Sequence, residues 1–157
     1  MRRAEPDASF HSKQKKGDAM QVQPYLNFNG RAQEAIDFYR KALGAEVTML
    51  MHFKDCPDPQ QSSMISPESR DKVMHAAIKI GDTTVFASDG RCTGTTNFQG
   101  ISLALNPKNE AEAKQVFGAL ADGGQVQMPL AKTFFSPSFG MVADRFGVAW
   151  MVVAAQG

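Results

Sequence analysis

The chain has 157 residues, 43% hydrophobic and 9% aromatic, a size that suits one globular domain or two small modules sharing a core. A formal net charge of +1, with basic residues dispersed among acidic ones beyond the N-terminal stretch, excludes a large basic field for nucleic acid or an anionic membrane. Cys56 and Cys92 are too few and too far apart for a disulfide scaffold or a Cys-x-x-Cys site, and no apolar run approaches the roughly 20 residues of a membrane span, so a reduced, cytoplasmic protein is expected.

Residues 1–19 are polar and mixed in charge, with Phe10 their one large apolar side chain, and are expected to form a disordered tail or upstream extension, with a basic interaction arm as the alternative. A first strand is expected from Met20 to Phe28, ended by Asn29-Gly30. Ala32, Ala35, Ile36, Tyr39, Ala42 and Leu43 recur at helical spacing, and Gly44 is a C-terminal stop. Glu46 to Phe53 alternates as a strand. Lys54 to Asp71, rich in Pro and Ser, reads as a loop that serves either as a lid or as plain surface. Val73–Ile80 and Thr83–Ser88 make a hairpin across Gly81-Asp82. The Gly- and Thr-rich connector Asp89 to Thr96 is the expected module boundary. A strand from Gln99 to Leu105 follows, then a helix started by Asn106-Pro107 with apolar Ala113, Val116, Phe117, Leu120 and Ala121. A short strand from Gln125 to Met128, a loop from Pro129 to Ser138 carrying Phe134-Phe135, and a closing hairpin from Met141 to Val153 complete the chain. The hairpin turns on Asp144-Arg145-Phe146-Gly147: the Asp offers a carboxylate to turn amides, and the Gly can take a positive φ. Its second strand holds the one Trp and is apolar on both faces, as a buried central strand is.

Two parts of the chain repeat. Strand, Asn turn, helix, Gly stop and strand occur from Val22 to Phe53 and again from Ile101 to Met128. Glu34-Ala35 aligns with Glu112-Ala113, Tyr39 with Phe117, Asn29 with Asn106 and Val47 with Val126. Completed by further strands, each copy is βαβββ. The expected fold is α+β: two βαβββ modules, about 20–90 and 98–156 within one domain over 20–157, forming a curved mixed sheet with a concave cleft and helices outside.

Pro24-Tyr25-Leu26, Ala35-Ile36-Asp37-Phe38-Tyr39 and Leu43-Gly44-Ala45 resemble the opening of vicinal oxygen chelate proteins, the superfamily of glyoxalase I, bleomycin-resistance proteins and extradiol dioxygenases. His75-Ala76, Ser88-Asp89 and Asp144-Arg145-Phe146-Gly147-Val148-x-Trp150 resemble its PhnB-like branch, often labelled 3-demethylubiquinone methyltransferase-like. The resemblance implies a homodimer and, in metal-using members, His and Glu ligands from the first and last strands of each module. Those strands offer Pro24 and Tyr25, Phe86 and Ala87, Ile101 to Leu103, and Met151, so the usual metal triad is not expected. No Gly-x-Gly-x-Gly turn follows a strand, so S-adenosylmethionine chemistry is not expected either.

His75 is a candidate general base or lone metal ligand, or else a hydrogen-bonded structural residue. Asp89 and Cys92 are its candidate catalytic partners, Arg91 offering a charge that can activate the thiol; an Asp at a strand-to-turn junction also reads as a turn residue, and Cys92 as an ordinary loop thiol. Asp144 carries the same turn reading. His52 can share a metal with His75 if both face one way. Tyr25, Phe134, Phe135 and Trp150 are candidate ligand-binding residues, with plain core packing as the alternative for Trp150. The expected function is metal-free binding of a small apolar or aromatic molecule, with no cofactor. The alternative is a superfamily enzyme of lyase, isomerase or dioxygenase type using His75, in which a divalent metal remains possible.

Overall fold

The computed structural model of the chain describes residues 19–58, 65–90, 92 and 95–156. The tail expected over 1–19, apart from Ala19, and the middle of the 54–71 loop lie outside them. The elements run β1 (Tyr25–Asn27), α1 (Ala32–Leu43), β2 (Glu46–His52), β3 (Val73–Ile80), β4 (Thr83–Ser88), β5 (Leu103–Leu105), α2 (Glu110–Ala121), β6 (Gln125–Ala131), β7 (Phe139–Ala143) and β8 (Ala149–Val153). Short 3-10 turns at Phe53–Asp55 and Pro67–Ser69 border the long loop. No helix among the described residues is long and apolar enough to cross a membrane.

The two βαβββ modules are present and have the same topology. Hydrogen bonding divides the expected mixed sheet into two four-stranded sheets, ordered β1-β4-β3-β2 and β5-β8-β7-β6. In each, the first strand pairs in parallel with the last, and the other pairs are antiparallel. Both second strands carry a register shift at one matching place, between Val47 and Met49 and between Val126 and Met128. The Val47–Val126 alignment therefore holds. The Asn alignment does not: Tyr25 and Ala104 occupy matching registers against Phe86 and Met151, which puts Asn27, not Asn29, opposite Asn106 in the repeat.

α1 has the expected bounds, and Gly44 ends it in the left-handed region (φ 64°), its amide donating to the Arg40 carbonyl. α2 starts later than Asn106-Pro107 suggests. Asn109 caps it, accepting from the Glu112 amide at 2.8 Å, while the Pro107 carbonyl accepts from Ala155. Of two asparagines on either side of Pro107, the one followed three residues later by a glutamate satisfies the orphan amides. β6 runs three residues past the expected end, with Pro129 tolerated because β6 is an edge strand beside an irregular register. Gly140 faces α2: a Cβ there would meet the Phe117 ring and the Met128 carbonyl, so helix and sheet approach at a position that admits only Gly.

One core cluster draws on both modules, and the closing hairpin joins them. Asp144, 3% exposed, accepts four hydrogen bonds. Oδ1 takes the amides of Phe146 (2.9 Å) and Val148 (3.1 Å), and Oδ2 takes the Trp150 indole N–H (2.9 Å) and the Tyr39 hydroxyl from α1 (2.6 Å). Phe146 packs on Phe28, Phe38 and Tyr39, with the Arg31 guanidinium over its outer face at 4.6 Å. Arg145 lies over Phe38 and donates to the Asp122 carbonyl at the end of α2. The Asp-Arg-Phe-Gly turn is thus a clasp between modules.

Burial, then the Asp144 charge and hydrogen bond, push the Tyr39 phenol well above its ordinary range. A raised folded pKa gives stability that is whole below the unfolded value, about 10, and is lost above it. Unfolding free energy is therefore expected to fall by about 1.4 kcal/mol per pH unit above pH ~10 through this group alone. Denaturant titrations at pH 9 to 11 should show that slope shallower in Tyr39→Phe.

Candidate functional site

Strand alternation gives each sheet a helix-facing side and an open side. In the first sheet Leu26, Ala76, Ile78, Val85 and Ala87 enter the core. Tyr25, Phe86, Ala77 and Met49 are paired across the four strands and form one row on the open side. His75 stands one pleat along from Ala77, opposite Met51. In the second sheet Val142, Trp150 and Val152 enter the core, and Ala104, Met151, Met141 and Met128 make the matching open row.

The open side of the first sheet carries a ring cluster. Tyr25, 55% exposed, lies 5.6 Å from His75 and 5.8 Å from Phe86, and His75 and Phe86 are 5.4 Å apart, all tilted by 30–40°. The Tyr25 hydroxyl and His75 Nδ1 are hydrogen-bonded at 2.9 Å. Ala77, small but only 7% exposed, forms a low floor beside Phe86 and Met49.

The expected partners of His75 are elsewhere. Asp89 is buried on the opposite side. Its Oδ1 accepts from the amides of Gly30 (2.7 Å) and Ala32 (2.8 Å), and Oδ2 from Val73 (2.8 Å). It replaces the missing cap of α1, whose flanking Arg31 side chain makes none, and ties β3 to the helix. Cys92 follows in a left-handed turn (φ 55°), its thiol 4.0 Å from the Gly90 carbonyl; Arg91 lies outside the described residues. His52 bonds Gln33 on α1 at 3.2 Å and lies near Asp55, so it does not share a face with His75.

Trp150 is not an open-face residue. It is 3% exposed, held by Asp144 and in edge contact with Tyr39, and its outer margin reaches a cleft of about 710 Å³ bounded by Pro24, Leu103 and Val116. Phe134, 96% exposed, and Phe135 form an edge-on pair that continues to Phe139, an aromatic run separate from the Tyr25 cluster. Thr133 and Ser136 fix that loop: the Thr133 hydroxyl accepts from the amides of Phe135 and Ser136, and buried Ser136 donates to the Ala154 carbonyl at 2.7 Å. The Thr-x-x-Ser spacing was the available signal for this lock.

The family model described as 3-demethylubiquinone-9 3-methyltransferase matches residues 20–153. The chain belongs to that PhnB-type family. It is 33% identical over 140 residues to protein YjdN of Escherichia coli, covering 85% of this chain and 94% of that one. Protein PA1353 from Pseudomonas aeruginosa is 41% identical with a TM-score of 0.77, covering 88% of this chain and all of that one. The PhnB protein from Bacillus cereus is 26% identical with a TM-score of 0.71, covering 87% and 100%. The fold alone is shared with a glyoxalase-related enzyme from Fulvimarina pelagi, TM-score 0.54 at 15% identity, covering 87% and 89%. The PhnB-like branch is thereby established for this chain, and its fold is that of a glyoxalase-related protein.

The superfamily's metal can be tested against this row. The first and last strands of the two modules present Tyr25, Phe86, Ala104 and Met151 on the open side. Of these side chains one is a phenol already bonded to His75, two have no donor atom, and one is a thioether suited to soft ions. This set does not fit a hard divalent cation. Ala104 also lies one residue beyond the stretch expected from the sequence, because β5 begins only at Leu103. Among the described residues no three His, Cys, Asp or Glu side chains cluster for an ion. Parallel pairing is confined to β1–β4 and β5–β8, unlike the doubly wound sheet that binds nucleotides at a strand-order reversal.

Proposed function

We propose that this protein binds a small planar apolar or aromatic molecule on the open side of its first sheet, without the superfamily's metal. The observation that carries the reading is the Tyr25–His75–Phe86 cluster beside the low Ala77 floor. Three rings at this spacing offer stacking and edge contacts to a flat ligand, and Met49 supplies an adaptable margin. A homodimer belongs to the same reading. Tyr25, Met49, Met128 and Phe134 leave apolar surface in water that a second copy would cover, deepening a shallow face into a cleft. A cytoplasmic setting belongs to the same reading, since two cysteines are too few for a disulfide scaffold.

Thermal unfolding in the presence of 2-isopropylnaphthalene tests the reading. A saturable rise is expected, about 2.7 kcal/mol at a hundredfold excess over Kd, unchanged by prior dialysis against a chelator. Phe86→Ser should abolish the rise and Phe134→Ala should keep it. No rise, or a rise that survives Phe86→Ser, rejects this site.

A further inference from the structure

We infer that His75 donates a hydrogen bond to the bound molecule from Nε2, held in that tautomer by Tyr25, so that the face selects planar aromatics bearing an acceptor oxygen, such as aryl ketones, over their hydrocarbon isosteres. The inference rests on the proposed ligand face and narrows its ligand class.

The Tyr25 hydroxyl and His75 Nδ1 share one proton across 2.9 Å. Two arrangements are open: phenol to imidazole nitrogen, or imidazole N–H to phenol oxygen. The first pairs the better donor with the better acceptor, since the phenol oxygen's lone pair is drawn into its ring while the imidazole nitrogen's is not. A neutral imidazole with Nδ1 engaged as acceptor carries its hydrogen on Nε2. Nε2 has no partner among the described residues, because the Tyr25 contact is the one hydrogen bond of this side chain. A hydrocarbon laid over it would remove water from that N–H and return nothing, a loss that a correctly placed ligand oxygen avoids. The charges nearby favour a neutral acceptor over an anion. Lys79, one pleat beyond Ala77 on the same side, faces Glu46 directly across the strands, so the two offset each other. In this state Nε2 is no base, and Tyr25 acts on the ligand through His75 as a positioning residue.

The test compares 2-acetylnaphthalene with 2-isopropylnaphthalene, alike in heavy-atom count and connectivity but for the carbonyl oxygen, by fluorescence titration of the full chain. Ring nitrogen-15 NMR is recorded in parallel. Wild type is expected to bind the ketone about fivefold tighter, with His75 as the Nε2–H tautomer. His75→Phe should bind the two alike. Tyr25→Phe should lose most of the preference and shift the His75 ring resonances toward a mixture of tautomers, which a merely structural Tyr25 would not do. Equal affinities in wild type, or an Nδ1–H tautomer, overturn the inference and leave the hydrophobic ligand face standing. Failure of both probes to bind overturns the face and the inference together.

Discussion

Asp144→Ala is expected to lower the melting temperature by roughly 10–15 °C. The substitution removes one buried acceptor group from four donors at once. Trp150 Nε1, the Tyr39 hydroxyl and the amides of Phe146 and Val148 all point at this carboxylate. Bonds to a charged acceptor contribute about 1.5–3 kcal/mol each, though not additively, and breaking a buried charged network by removing one member costs about 3–5 kcal/mol. At roughly 3 °C per kcal/mol for a domain of this size, the quoted shift follows. Asp144→Asn keeps the shape but not the chemistry. Its one carbonyl oxygen can serve the two amides or the Tyr39–Trp150 pair, and the NH2 group then confronts donors. Asn should therefore recover less than half of the loss. Circular dichroism melts check the magnitude. Trp150 fluorescence checks the cause, since the emission should shift to the red as the indole loses its partner before global unfolding. A melting temperature within 2–3 °C of wild type, roughly what 1 kcal/mol produces, would sink the clasp.

Half of this clasp is legible in the sequence. An Asp four residues before a Val and two before a Phe, with Gly between them, is a turn with a carboxylate for its amides, and Oδ1 does that. The Oδ2 contact to Tyr39 is illegible because that donor stands 105 positions away on another module's helix. The Asp144–Trp150 part of the PhnB-like resemblance is for this reason architectural: Trp150 is spent on Asp144, and Arg145 and Phe146 on the helices.

The repeat was readable because it lives in element order and in local pattern, which both modules keep even to the irregularity in their second strands. Its exact register was not, because β1 and β5 are three residues each and alternation over three residues fixes no phase. The site divides the same way. Tyr25 and His75 were each visible as candidates. Their contact arises from a parallel pairing of β1 with β4 and an antiparallel one of β4 with β3, fifty positions of chain apart, and no local spacing encodes it.

Asp89→Ala separates a catalytic aspartate from a structural one. Its carboxylate takes three backbone amides, two at the start of α1 and one at the start of β3, and is 1% exposed. Without it the first turn of α1 has buried amides and no local cap, since the flanking Arg31 makes no capping bond. The loss should be about 3 kcal/mol, near the upper end of a single cap because two elements are released together, and roughly 10 °C in melting temperature. Asn should not rescue it, as its NH2 group would meet an amide on one side. Binding of 2-isopropylnaphthalene, measured well below the melting point, should change by less than about twofold, because the carboxylate lies on the helix side of the sheet and the rings lie on the other. The opposite pattern, normal stability with binding lost, would place Asp89 beside His75 and return both to a shared chemical role. Three of the four lone pairs of the Asp89 carboxylate are taken by backbone amides of α1 and β3, and that is why the stability loss is the expected result.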